Sequence, residues 1–240
     1  MSVGKLYLVP TPIGNLGDIT YRAVELLNSV DKILAEDTRT TRVLLNHYGI
    51  KTRLESFHQH NEHGKLKPII QELIDGTIIA QVSDAGTPGI SDPGFLLARA
   101  CLKQNIPIEV LPGATAFIPA LIKSGFALHQ FRFEGFLPQK KGRQTRILAL
   151  SNNPDTTCFY ESPHKIIKSL EQLAVVCDPK RRISISREIS KKFEETVTGY
   201  IIDVLNHYKH HPAKGEFVVV LEGCNIKEEE EERSETNHSL

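Results

Sequence analysis

Two α/β domains are predicted for this 240-residue chain, and three features of the sequence predict them. Apolar stretches of strand length alternate with segments of helical period. Three of the strand-like stretches run straight into turns rich in Gly, Pro, Thr and Asp. After Gly125 the alternation starts afresh, with a new strand at Phe131.

In order, Leu6-Tyr7-Leu8-Val9 reads as a buried strand, followed by the turn Pro10 to Asp18. Ala23, Leu26, Leu27 and Val30 recur at helical spacing behind Thr20, a residue suited to cap a helix start. Ile33-Leu34-Ala35 is a short strand, and Leu66, Ile69, Ile70, Leu73 and Ile74 mark a helix that Gly76 ends. The strand Thr77 to Val82 enters Ser83 to Gly94, after which Phe95-Leu96-Leu97-Ala98 opens a helix near Pro93. Ile106 to Leu111 is a further strand. It ends in Pro112-Gly113-Ala114-Thr115-Ala116, and a helix beginning near Ala114 closes at Gly125. The second half reads as strand 131–136, helix 144–150, strand 156–160, helix 164–175, strand 182–187, helix 199–208 and strand 216–221. The expected organisation is an N-terminal domain over 1–118 carrying most ligand loops, a C-terminal domain over 119–225, and a disordered acidic tail over 226–240.

Composition narrows the classes. Hydrophobic residues make up 40%, enough for a sizeable core, and no apolar run reaches the roughly 20 residues of a membrane span. The first residues lack a signal-peptide layout, so a cytoplasmic protein with no membrane partner is expected. Cys101, Cys158, Cys177 and Cys224 are scattered without a C-x-x-C pair, which favours reduced, buried thiols. Net charge is zero, but the stretch Lys227 to Glu235 carries six acids and two bases; without it the body holds 27 bases and 23 acids, a charge of +4. A mildly basic body is compatible with RNA.

The three turns are the chemical signal. In an open parallel sheet the strand C-termini share one edge, where ligands settle. Glycine there lets backbone approach a ligand, and helix starts after Pro88 and Gly113 offer N–H groups to a carboxylate. Neither G-x-x-x-x-G-K-[ST] nor G-x-G-x-x-G is present, so phosphoryl transfer falls behind. Glu36-Asp37-Thr38-Arg39 brings acid and guanidinium to a strand end. Asp37 is a candidate proton acceptor and Arg39 a candidate phosphate ligand, while helix capping and a surface pair suit the same two residues equally. Lys140, Lys141, Arg143 and Arg146 concentrate charge behind Leu137-Pro138, as an RNA contact or as an ordinary basic helix start. Arg187 either shapes an RNA pocket or bridges domains. His58, His60 and His63, and His207, His210 and His211, read as solvent-facing rather than metal-binding.

Eight segments carry a family resemblance: LYLVPTPIGNLGD at 6–18, AEDTRTTRVLL at 35–45, SDAGTPGISDPG at 83–94, LPGATA at 111–116, FEGFLP at 133–138, YESPHK at 160–165, SREISKKFEE at 186–195 and KGEFVVVLEG at 214–223. Through them the chain resembles the tetrapyrrole methylase superfamily. Its first loop is less glycine-rich than is usual in members acting on tetrapyrroles, which favours an RNA-methylating branch. The resemblance implies a tetrapyrrole methylase fold with a cofactor cleft between two α/β domains, S-adenosyl-L-methionine as cofactor, and commonly a homodimer. It implies 2′-O-methylation of a cytidine in the decoding region of 16S rRNA, within the small ribosomal subunit and without a metal. The implied cofactor bed is Pro12, Ser83, Asp84, Ala85, Gly86, Pro88, Ser91, Pro112, Ala114 and Thr115, closed by Phe136, Leu137, Tyr160, Gly215 and Glu216 of the second domain. Lys214 beside it is a catalytic candidate provided burial lowers its basicity; surface solvation is its other reading. Longer relatives continue beyond KGEFVVVLEG where this chain has its acidic stretch. A small-molecule methyltransferase and a non-catalytic RNA-binding assembly factor are the rival readings.

Overall fold

The structure, a computed structural model, describes residues 3–211 and 214–224; the expected acidic tail lies outside them. The chain divides into two compact units between Thr115 and Ala116.

The first unit holds strands β1 (Lys5–Leu8), β2 (Lys32–Ala35), β3 (Arg53–Ser56), β4 (Ile78–Val82) and β5 (Ile108–Val110) in one sheet of order β3-β2-β4-β1-β5. Every pairing is parallel, with Leu8 and Leu34 flanking Gln81 of the central strand β4. Parallel pairing requires crossovers, here α1 (Tyr21–Ser29), α2 (Thr38–His47), α3 (Glu62–Ile74) and α4 (Phe95–Lys103). Because β4 is covered on both faces, its residues are almost continuously apolar and buried. Ala23, Leu27 and Leu45 pack on one face against Ile33, Ala80 and Val82. Ile69, Leu73, Leu97 and Cys101 pack on the other against Leu6, Leu34 and Ile79. The five strand C-termini therefore share one edge, as expected of this layout.

The second unit holds β6 (Phe131–Phe136), β7 (Thr156–Glu161), β8 (Arg182–Arg187), β9 (Glu195–Tyr200) and β10 (Phe217–Leu221) in the order β6-β7-β10-β8-β9. Only β6 and β7 run parallel; the other pairs are antiparallel. Helices α5 (Phe117–Ser124), α6 (Arg143–Ser151), α7 (Ile166–Val176) and α8 (Ile201–His210) complete it. Its core joins Leu150, Leu170, Leu173, Val204 and Tyr208 to Phe159, Ile185, Phe217 and Val219.

Two strands depart from expectation. β3 is a polar edge strand whose Glu55 binds Lys32 and Lys65, so it lacks the apolar signature of its neighbours. β9 covers 195–200, where the helix was expected to begin at 199; its Thr196 and Thr198 hydroxyls pair with Ser186 and Ser184 across the ladder.

Candidate active site

At the shared edge of the first unit, the ends of β1 and β4 are stitched together. Thr11 and Gly86 exchange two backbone hydrogen bonds, of 2.9 and 3.0 Å. The Thr11 hydroxyl donates to the Ser83 carbonyl and the Ser83 hydroxyl to that of Gly86. Gly86 has φ +82°, a left-handed conformation that glycine adopts without strain. Thr87 donates to the Ala114 carbonyl at 3.1 Å, and its hydroxyl lies 2.9 Å from that of Thr115, which brings in the turn after β5. Gly113 presses on Pro10 so closely that a Cβ there would lie 2.6 Å from the proline Cβ. Main chain thus lines this edge, with Asp84 and Ala85 exposed above it.

The end of β2 joins the same edge. Asp84 Oδ1 accepts the backbone N–H of Asp37 at 2.9 Å. Asp37 caps α2, accepting the Arg39 N–H at 2.8 Å, and its carboxylate also binds the Arg39 guanidinium at 2.6 Å. These bonds hold the Asp37 carboxyl down at about 2. Its neighbour Glu36 moves the other way: burial, reinforced by the carboxylates of Asp84 and Asp37, raises it above the usual range. A carboxyl that binds protons more readily is the better acceptor near neutral pH.

In the second unit one sheet edge collects Phe136 and Tyr160 at the ends of β6 and β7, Arg187 at the end of β8, and Lys214 to Glu216 before β10. The Phe136 and Tyr160 rings lie 5.5 Å apart, and Phe136 is 60% exposed. Gly215 has φ +91° and touches Glu188, whose Oε1 accepts the Glu216 N–H at 3.0 Å.

The family model for tetrapyrrole (corrin/porphyrin) methylases matches residues 5–204. The chain belongs to the tetrapyrrole methylase family. It is 44% identical over 230 residues to a ribosomal RNA small subunit methyltransferase I from Halalkalibacterium halodurans, covering 95% of this chain and 79% of that one. A protein of the same name from Escherichia coli O157:H7 is 45% identical over 232 residues, covering 95% and 81%. Among solved structures, the methyltransferase CobJ superposes with a TM-score of 0.69 at 18% identity, over 92% of this chain and 95% of that one. A uroporphyrin-III C-methyltransferase from Thermus thermophilus, complexed with S-adenyl homocysteine, superposes at 0.63 and 16% identity, over 90% and 97%. The last two establish the tetrapyrrole methylase fold.

Within this family member, the structure brings Ser83, Asp84, Ala85, Gly86, Pro88, Ala114 and Thr115 to the edge that Thr11 and Pro12 also border. Ser91 lies in the same loop at φ +64°, and Pro112 opens the turn after β5. α4 starts at Phe95, as expected, whereas α5 starts at Phe117 and not near Ala114, so the N–H groups beside Pro88 and Gly113 precede the helices and belong to the loops. Leu137 is a core side chain, leaving only its backbone for a ligand.

Two sequence-based assignments need correction. Arg143 is not available to RNA: its side chain is 6% exposed and is bound to Gln172, Pro138 O, Glu161 and Ser169. Lys214 is exposed and lacks the burial that the base role requires. Lys140 and Lys141 are exposed, Arg146 pairs with Glu134, and Arg187 binds Glu195 at 2.6 Å. Arg39 keeps a side chain 90% exposed while pairing with Asp37. Glu36 belongs to the acid-and-arginine cluster that the sequence singles out, though the sequence favours Asp37 as the proton acceptor; the signal for Glu36 is that it follows a buried strand directly and precedes the capping Asp37. His58 meets Asn61, and among the described residues no three His, Cys, Asp or Glu side chains are grouped for a metal ion. No helix there is long and apolar enough to cross a membrane.

Proposed function

We propose that this chain is an S-adenosyl-L-methionine-dependent methyltransferase that methylates the ribose 2′-oxygen of a cytidine in the decoding region of 16S rRNA, on the small ribosomal subunit in the cytoplasm. What carries the reading is identity of about 45% over 95% of the chain to small subunit methyltransferases I. The first unit fits such a cofactor. Main chain at Ser83 to Gly86 and at Pro112 to Thr115 offers a close bed, and Asp84 and Glu36 supply negative charge suited to a cationic molecule. When bound, S-adenosyl-L-methionine supplies a methyl group activated by its sulfonium.

The chain's own residues account for the remainder. Pro12, Ser83, Asp84, Ala85, Gly86, Pro88, Ser91, Pro112, Ala114 and Thr115 bind and orient the cofactor, a positioning effect worth roughly 7–11 kcal/mol in well-aligned systems. Phe136, Tyr160, Gly215, Glu216 and the Leu137 backbone are further cofactor contacts by family resemblance. Glu36 accepts the proton of the ribose hydroxyl. Asp37 fixes the start of α2 and holds Arg39, whose exposed guanidinium meets a phosphate. Lys140 and Lys141 add phosphate contacts, and Arg187 borders the RNA. A homodimer is the assembly that the family resemblance implies.

The test offers methyl-tritiated cofactor and the chain to small subunits, to free 16S rRNA and to a corrinoid precursor. Label is expected at one 2′-O-methylcytidine of the subunit. Label in the corrinoid, or cofactor binding with no transfer to RNA, would refute the reading in favour of its two rivals.

A further inference from the structure

Gln81 is out of character with its surroundings. It sits on the central strand β4, 1% exposed, between Leu8 and Leu34 of the adjacent strands. Among the described residues, neither Oε1 nor Nε2 of its carboxamide has a hydrogen-bond partner. A buried amide left unpaired destabilises a fold, and one kept in a core calls for an explanation. Its position supplies one. A Cβ built on Gly94 would lie 3.2 Å from Gln81 Nε2 and 3.0 Å from the Gly89 backbone nitrogen, so the carboxamide lies directly against the Gly89–Gly94 limb of the loop after β4.

That limb differs from the rest of the loop. The near end is fastened by Thr11, Ser83 and Thr87. The far limb turns on Gly89 at φ +86°, Ser91 at +64° and Gly94 at +142°, and a hydrogen bond from Gly89 N to Pro93 O closes it on itself. A non-glycine residue in the left-handed region stores strain, of the kind that accompanies a segment with two arrangements. Pro88 and Ser91, in the cofactor bed proposed above, belong to this loop. A ligand shifts such an equilibrium by binding one arrangement better than the other.

We propose that Gln81 is a positioning residue for methyl transfer: on cofactor uptake the Gly89–Gly94 limb settles onto its carboxamide, Nε2 donating to a loop carbonyl and Oε1 accepting a loop N–H. The assignment rests on the cofactor reading above. The unpaired amide is then the cost of the free state, recovered when the loop closes.

The probe is S-adenosylhomocysteine, with the full chain and with Gln81→Met, which keeps length and volume but removes both hydrogen-bonding groups. The variant is expected to melt, unliganded, at or above the native temperature while binding the probe at least fivefold more weakly by calorimetry. In the native chain, hydrogen exchange at the Gly89–Gly94 amides is expected to slow on binding. Affinity within twofold of native, or affinity and melting temperature falling together as a purely structural role requires, would overturn the assignment. So would unchanged exchange in the liganded native chain, which decides the matter even where the variant does not fold. A native chain that takes up no probe overturns the cofactor reading and this assignment with it, a result distinct from the others.

Discussion

Asp84 at the end of β4 accepts the backbone N–H of Asp37 at the end of β2, and this 2.9 Å bond joins the cofactor loop to the acid-and-arginine segment proposed to face RNA. The carboxylate thus has two separable duties, as an acceptor and as a charge. Asp84→Asn retains an acceptor oxygen, whereas Asp84→Ala retains neither. Calorimetry is expected to show S-adenosyl-L-methionine affinity reduced about tenfold in both, equivalent to about 1.4 kcal/mol. Thermal melts are expected to show a loss only in the alanine variant. Equal melting losses would separate the bond from the stability of this edge.

Glu36→Gln is expected to lower kcat by at least about a hundredfold, the usual scale for a positioned acid or base. In the native chain the rate is expected to rise with pH through the elevated Glu36 value, because only the ionised form accepts a proton. The stability effect has the opposite direction. A carboxyl raised on folding binds protons more tightly in the native state, so native stability declines as pH climbs from the unfolded value through the folded one. Gln at this position should leave the chain at pH 7 as stable as native or more so, by urea titration. A variant both inactive and less stable would point to a structural Glu36.

Asp37 has the reverse linkage. Its carboxyl is lowered from 3.8 to about 2, so its contribution is complete above pH 4 and disappears as pH falls through about 2. Asp37→Ala should lower the melting temperature at pH 7 and give a shallower acid dependence than native between pH 4 and 2. Parallel acid profiles would remove the cap from the account.

Arg143 and the two preceding lysines are expected to separate cleanly. Arg143→Ala strands the buried Glu161, and removing one partner of such a pair costs about 3–5 kcal/mol. Lys140→Ala with Lys141→Ala should alter stability by no more than about 0.5 kcal/mol while reducing the salt slope of RNA binding by about 1.5–2. Denaturant unfolding and binding across a salt series check both. A lysine pair that leaves the slope unchanged is not at the RNA.

The strand and helix pattern was legible where burial was two-sided or strongly periodic. Ile79–Val82 of β4 and all of β10 are buried, and α1 repeats at 3.6 residues behind the Thr20 cap. β3 escaped notice because an edge strand held by Lys32–Glu55 and Lys65–Glu55 pairs has no apolar signature. β9 escaped because its hydroxyl ladder is visible only once Ser184 and Ser186 are placed opposite.

Short-range information in the chain, its apolar periods and its glycine and proline turns, was sufficient for the α/β class and for the loops that meet at one strand edge. The fate of individual charges was not local. Arg143 lies within three residues of exposed Lys140 and Lys141, yet Glu161, Ser169 and Gln172, 18 to 29 residues on, draw it into the core. Asp37 and Glu36 are neighbours with oppositely displaced carboxyls, because one meets Arg39 and the other meets burial and Asp84. Solvation and pairing act through space, so residues that look equivalent along the chain separate only when folding gives each its own surroundings.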